Sequence, residues 1–207
     1  MENDKPISGQ EGLHLIQKMI FIAKQEQRND GVGWIWWGWM LFGASLFSLL
    51  NARYNWVSPY FFWDTLGVIA LIYFIIRSIR YFSGARRKVV RTYTGELIHK
   101  LNIGFFVSLL FIMVAMNGVL NPMAGFPMLV NLYGFWILVY GTAMNFRPFI
   151  IGAFVAWAMG IAGLFVKTYE AVLLTHALAV LGGYIIPGHI ANYTFRKLNR
   201  EVGHFSV

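Results

Sequence analysis

Four polar side chains stand inside long apolar stretches: Asp64, Asn117, Asn131 and His176. Counted inward from the nearest polar break, Asp64 lies about seven residues deep and His176 about eight. At about 1.5 Å per residue, both reach roughly 10 to 12 Å from the same side. Asn117 and Asn131 approach a similar depth in two further stretches. An ionised carboxylate in a bilayer costs about 2.5 to 3.5 kcal/mol at the centre and less towards the interface, so such groups turn inward and pair. Asp64 is therefore expected to face His176, directly or through one water, with Asn117 or Asn131 lining the same pocket. Gly67 and Ala179, three positions further along, leave room beside them. Two roles fit this set. The four residues can join helices by hydrogen bonds worth about 0.6 to 2 kcal/mol each, or line an outward-facing polar cavity for a small ligand or ion.

Other chemistry is sparse. Glu96-x-x-His99 has the spacing that places a carboxylate and an imidazole on one helical face, but di-iron bundles need a second copy and further carboxylates. A solvated helical turn is the plainer reading. No phosphate loop, dinucleotide glycine pattern, His-Glu-x-x-His or Gly-x-Ser-x-Gly occurs. The chain has no cysteine, which excludes disulfides, thiolate metal sites and cysteine nucleophiles. No catalytic residue, metal ligand or cofactor is assigned, and the expectation is a protein that is not an enzyme. The segment from Arg77 to Lys100 holds seven Lys and Arg against one acid, Glu96. Arg86, Arg87, Lys88 and Arg91 within it are candidates for contact with anionic lipid headgroups, at about 1 kcal/mol per well-placed cation, or with a partner. A topology signal is the plainer reading of the same cluster.

The elements that must position these residues are transmembrane helices. The 207 residues are 57% hydrophobic and only 13% charged, about half the charge of an ordinary soluble domain. Apolar spans run roughly over 34–50, 57–79, 101–120, 125–146, 149–166 and 168–186. Each has about 17 to 23 residues, enough for a hydrocarbon core of about 30 Å. The expected fold is an all-α integral membrane protein of six transmembrane helices preceded by an amphipathic helix. Residues 1–32 form that first unit, with Ser8-x-x-Glu11 as a capping box and apolar positions Leu13, Ile16, Ile20 and Ala23 at helical spacing. Residues 33–188 form the bundle, with a basic loop over 80–100, and residues 189–207 a polar tail. Pro187-Gly188 is expected to break the sixth helix where it leaves the bilayer. No cleavable signal peptide is expected, so the first span directs insertion. Fifteen of the seventeen Lys and Arg, all but Arg53 and Lys167, fall on the side holding both ends of the chain. By the positive-inside rule that side is cytoplasmic. The net charge of +8 is thus a topology signal, and no nucleic-acid partner is implied.

Gly152, Ala156 and Gly160 recur four apart in the fifth span, and Thr175, Ala179 and Gly183 do so in the sixth. Faces stripped to small residues let backbones approach, and the short Lys167-Thr168-Tyr169-Glu170 link forces these two spans together. Trp34, Trp36, Trp37 and Trp39 read as an interfacial anchor. Three stretches resemble a family of uncharacterised six-helix membrane proteins common in Bacteroidetes. They are Leu15-Ile16-Gln17-Lys18-Met19-Ile20 with Trp36-Trp37-Gly38-Trp39, then Phe146-Arg147-Pro148-Phe149-Ile150-Ile151-Gly152, then Gly183-Tyr184-Ile185-Ile186-Pro187-Gly188-His189. The resemblance implies a bacterial inner-membrane location and the six-span layout. The functional expectation is an accessory or sensing subunit that meets the lipid bilayer and a protein partner on the cytoplasmic side. The alternative is a small-solute transporter or substrate-binding membrane component with an outward-facing cavity.

Overall fold

The computed structural model describes residues 12, 31–58, 60–82 and 93–203. The expected amphipathic helix and the cations Arg86, Arg87, Lys88 and Arg91 lie outside the described residues. Among those described there is no strand, and six helices are long and apolar enough to cross a membrane. They are α1 (Val32–Tyr54), α2 (Phe61–Phe82), α3 (Tyr93–Gly118), α4 (Pro122–Ala143), α5 (Arg147–Phe165) and a last helix that starts as α6 (Tyr169–Val180). A π-helical turn (Leu181–Ile185) follows α6 and runs directly into α7 (Ile186–Gly203). Start signals are local. Asn121 and Thr168 cap α4 and α6 by accepting from Met123 N–H and Ala171 N–H, while Pro122 and Pro148 stand in the first turn of α4 and α5. A proline costs nothing there because that N–H has no helical partner.

The expected break at Pro187 does not occur. Proline normally clashes with the carbonyl one turn back and removes a bond. Here the wider π turn immediately upstream re-spaces the backbone, so the chain stays helical from Tyr169 to Gly203. Up to Gly203 the polar tail expected from residue 189 is thus part of this helix, with a strongly amphipathic pattern and Arg200 in its last turn.

Helix α6 is central, packed on α1, α4 and α5, while α4 and α5 make the most extensive helix pair. The small-residue faces do the work expected of them, with one reassignment. A Cβ at Gly183 would stand 3.4 Å from both Ala156 Cβ and the Gly152 carbonyl, and one at Gly152 would stand 3.0 Å from the Gly182 carbonyl. A Cβ at Gly160 would instead meet Val130 on α4, at 3.0 Å. On the other side of the central helix, a Cβ at Gly38 would come within 2.7 Å of Ile185 Cγ1. The π turn is therefore gripped from two sides by backbone-close contacts. Gly31, at φ 73°, begins α1 in the left-handed region, and a side chain there would collide with the Gly188 carbonyl of α7.

Trp34 corrects the expectation of a purely interfacial tryptophan group. It is buried, its ring 4.7 Å from Phe149, 4.9 Å from Tyr140 and 5.0 Å from Tyr184, where aromatic edges and faces attract. Trp36 and Trp39 are exposed. Helices α2 and α3 form an outer hairpin: α2 touches α1 and α3, and α3 also touches α4.

Candidate functional site

The buried polar residues of the bundle are Ser45, Ser48, Asn51 and His176. The first three lie three apart on α1 and continue the stripe Trp34, Gly38, Leu41, Ser45, Ser48, whose alternating spacing of four and three keeps one helical face towards α6. His176 on α6 is completely buried. Its Nδ1 lies 2.9 Å from Ser45 Oγ, and that hydroxyl is also 3.0 Å from the Leu41 carbonyl. Trp63 of α2, Phe126 and Tyr133 of α4 present rings at 5.0, 5.5 and 5.7 Å from the imidazole, all close to perpendicular. One histidine thus ties α1 to α6 by a hydrogen bond and meets α2 and α4 through aromatic edges. Removing either partner of such a bond strands the other in an apolar interior, at about 1 to 3 kcal/mol.

Three buried side-chain atoms in this region have no hydrogen-bond partner among the described residues: Ser48 Oγ, Trp63 Nε1 and His176 Nε2. Ser48 contrasts with Ser45, Thr65 and Thr194, whose hydroxyls each donate to the carbonyl four residues back. Asn51 closes the far end of α1. Its side chain donates to the Val57 carbonyl at 2.9 Å and accepts from Val57 N–H at 3.0 Å, fixing the loop that leads to α2.

Asp64 and His176 are not brought together. Because Asn51 holds the chain at Val57 in a loop, α2 begins only at Phe61, and Asp64 falls in its first turn. A carboxylate there is shallow and complements the helix N-terminus, so nothing forces it inward. It is exposed, and Asn117 Nδ2 stands 3.4 Å from its Oδ1, longer than a strong hydrogen bond. Asn117 also donates to the Met113 carbonyl at 3.0 Å. Asn131 is exposed as well, and its backbone carbonyl accepts from Trp157 Nε1 at 3.1 Å. The expected four-residue pocket thus separates into a surface pair, Asp64 with Asn117, an exposed Asn131, and a core centred on His176. Glu96 is ion-paired with Lys100 at 2.8 Å on an exposed turn. Among the described residues, no three His, Asp or Glu side chains gather to hold a metal.

Sequence reasoning missed Ser45, Ser48, Asn51 and Trp63. The signal was present in the alternating spacing along α1, where hydroxyls and small residues interrupt an otherwise apolar helix. Comparison with protein-family models, with curated proteins and with solved structures returned no match.

Proposed function

We propose that this chain is a non-enzymatic, multi-pass protein of a bacterial inner membrane, acting as an accessory or sensing subunit. Its resemblance to the six-helix family of Bacteroidetes and the distribution of Lys and Arg support that location, with residues before α1 and after α7 on the cytoplasmic side. One observation carries the functional reading. The helix from Tyr169 to Gly203 is continuous, and at about 1.5 Å per residue it spans roughly 50 Å against a hydrocarbon core of about 30 Å. Its first half holds His176 in the buried centre and its second half carries Arg196, Lys197 and Arg200 beyond the apolar region. A single continuous element therefore links the packed interior to a basic end where a partner or anionic lipid docks, a role proposed from the sequence also for Arg86, Arg87, Lys88 and Arg91.

The runner-up, a small-solute transporter, draws on the unpartnered polar atoms around His176. Purification of the full chain from native membranes in mild detergent separates the two. The subunit reading expects a membrane protein to co-purify in fixed stoichiometry. Recovery of the chain alone, with solute uptake that His176→Leu abolishes, would favour transport. Orientation has its own test, made clean by the absence of native cysteine. A cysteine at Asn121 should react with an impermeant maleimide from outside intact cells, and one at Arg200 only after the membrane is opened. The opposite pattern defeats the assignment.

A further inference from the structure

We infer that the core holds an internal water site between α2 and α6, bounded by Trp63 Nε1 and His176 Nε2 with Ser48 Oγ at its edge. The inference stands apart from the subunit reading and rests on hydrogen-bond polarity. Trp63 Nε1 can only donate, and it and His176 Nε2 are buried without a partner among the described residues. The rings are 5.0 Å apart and nearly perpendicular. The rings are thus direct neighbours, and one water making two hydrogen bonds of about 2.9 Å each bridges two nitrogens that lie about 5 to 6 Å apart. Ser48 lies one turn along α1 from Ser45, which already touches the imidazole, and its hydroxyl is not used by its own helix.

The direction of the chain then fixes itself. Ser45 has one hydroxyl proton and the Leu41 carbonyl takes it at 3.0 Å, so Ser45 Oγ accepts from His176 Nδ1–H at 2.9 Å. That tautomer leaves Nε2 as an acceptor. A water that accepts from the Trp63 indole and donates to His176 Nε2 completes an unbroken series: Trp63 to water, water to His176, His176 to Ser45, Ser45 to the Leu41 carbonyl. The second water hydrogen is free for Ser48 Oγ. Each donor in the series meets one acceptor, and the water makes about three bonds, as buried waters do. The opposite tautomer would turn the Ser45 hydroxyl proton from the Leu41 carbonyl to His176 Nδ1 and make the water accept from both rings.

Magic-angle-spinning NMR of the full chain, labelled with 13C and 15N in lipid bilayers, tests this directly. His176 is expected as the Nδ1–H tautomer, with magnetisation passing from water to its ring and to the Trp63 indole N–H. Trp63→Phe, if the remaining spectrum is kept, is expected to shift the His176 Nε2 resonance and weaken the transfer. An Nε2–H tautomer would overturn the assigned direction. Ring signals that receive magnetisation from lipid chains but none from water would overturn the site itself, as would a His176 Nε2 resonance indifferent to Trp63→Phe in a folded protein.

Discussion

Helices α4 and α6 with its extension have 56% and 61% of their spanning residues buried inside the bundle, whereas α2 and α3 have 12% and 0%. All are comparably apolar, so hydrophobicity does not make the difference. Side-chain size does. The faces of α5 and the central helix are reduced to Gly152, Ala156 and Gly183, and backbones meet there at distances a larger residue would forbid. Helix α2 shows Val68, Ile69, Ile72, Ile75, Ile76 and Ile79 outward, bulky groups that gain as much from lipid tails as from another helix. The hairpin is attached by aromatic contacts rather than by intimate packing: Trp63 to Phe126 at 4.9 Å, Trp37 to Tyr73 at 5.6 Å, and Phe105 stacked on Trp136 at 5.2 Å. The contrast separates a core specified by shape from an outer hairpin with a bulky, exposed apolar face that is attached through aromatic contacts.

Substitutions should divide accordingly. The largest effect is expected from Gly152→Leu, because the new side chain meets the Gly182 carbonyl and Pro187 with no room to move. Overpacking of that kind costs about 3 kcal/mol, measured as loss of reversible unfolding stability in lipid or detergent. A neutral result would mean that α5 and the π turn are not in backbone contact. His176→Leu should cost about 2 kcal/mol by removing the buried hydrogen bond that joins Ser45 of α1 to α6. Trp157→Phe, which gives up the bond to the Asn131 carbonyl, should cost about 1 kcal/mol. On the hairpin, Asp64→Asn and Ile72→Ala should stay within about 0.5 kcal/mol of the parent, as surface changes do. A loss at Asp64 as large as that at His176 would erase the distinction between the two regions.

The number of long apolar helices was legible because each apolar run is long enough to span, while the run of the last helix on to Gly203 was not. Depth was not, and Asp64 shows why. Its apolar run begins at Val57, but the Asn51 side chain captures Val57 as loop, and no pattern of hydropathy reports a hydrogen bond from the preceding helix. Pro187 misled for a similar reason. Its cost is real, yet the π turn that absorbs it lies upstream, in Leu181-Gly182-Gly183-Tyr184-Ile185, where composition alone reads as ordinary helix. The pairing of small residues between α5 and α6 was legible as spacing, while Gly160 serving α4 needed the packing itself. His176 was rightly singled out as buried, but its partner is a serine on the first helix rather than an acid on the second.

The unbroken helix from core to basic end is the feature on which the proposed role depends, and a distance tests it most directly. Residues Glu170 and Arg200 are both exposed, one near each end of that helix. With spin labels on cysteines at these positions, in an otherwise cysteine-free chain in lipid nanodiscs, a continuous helix predicts a single narrow distance near about 45 Å. A broad distribution, or a distance shorter by about 10 Å or more from a bend at Pro187, would contradict it.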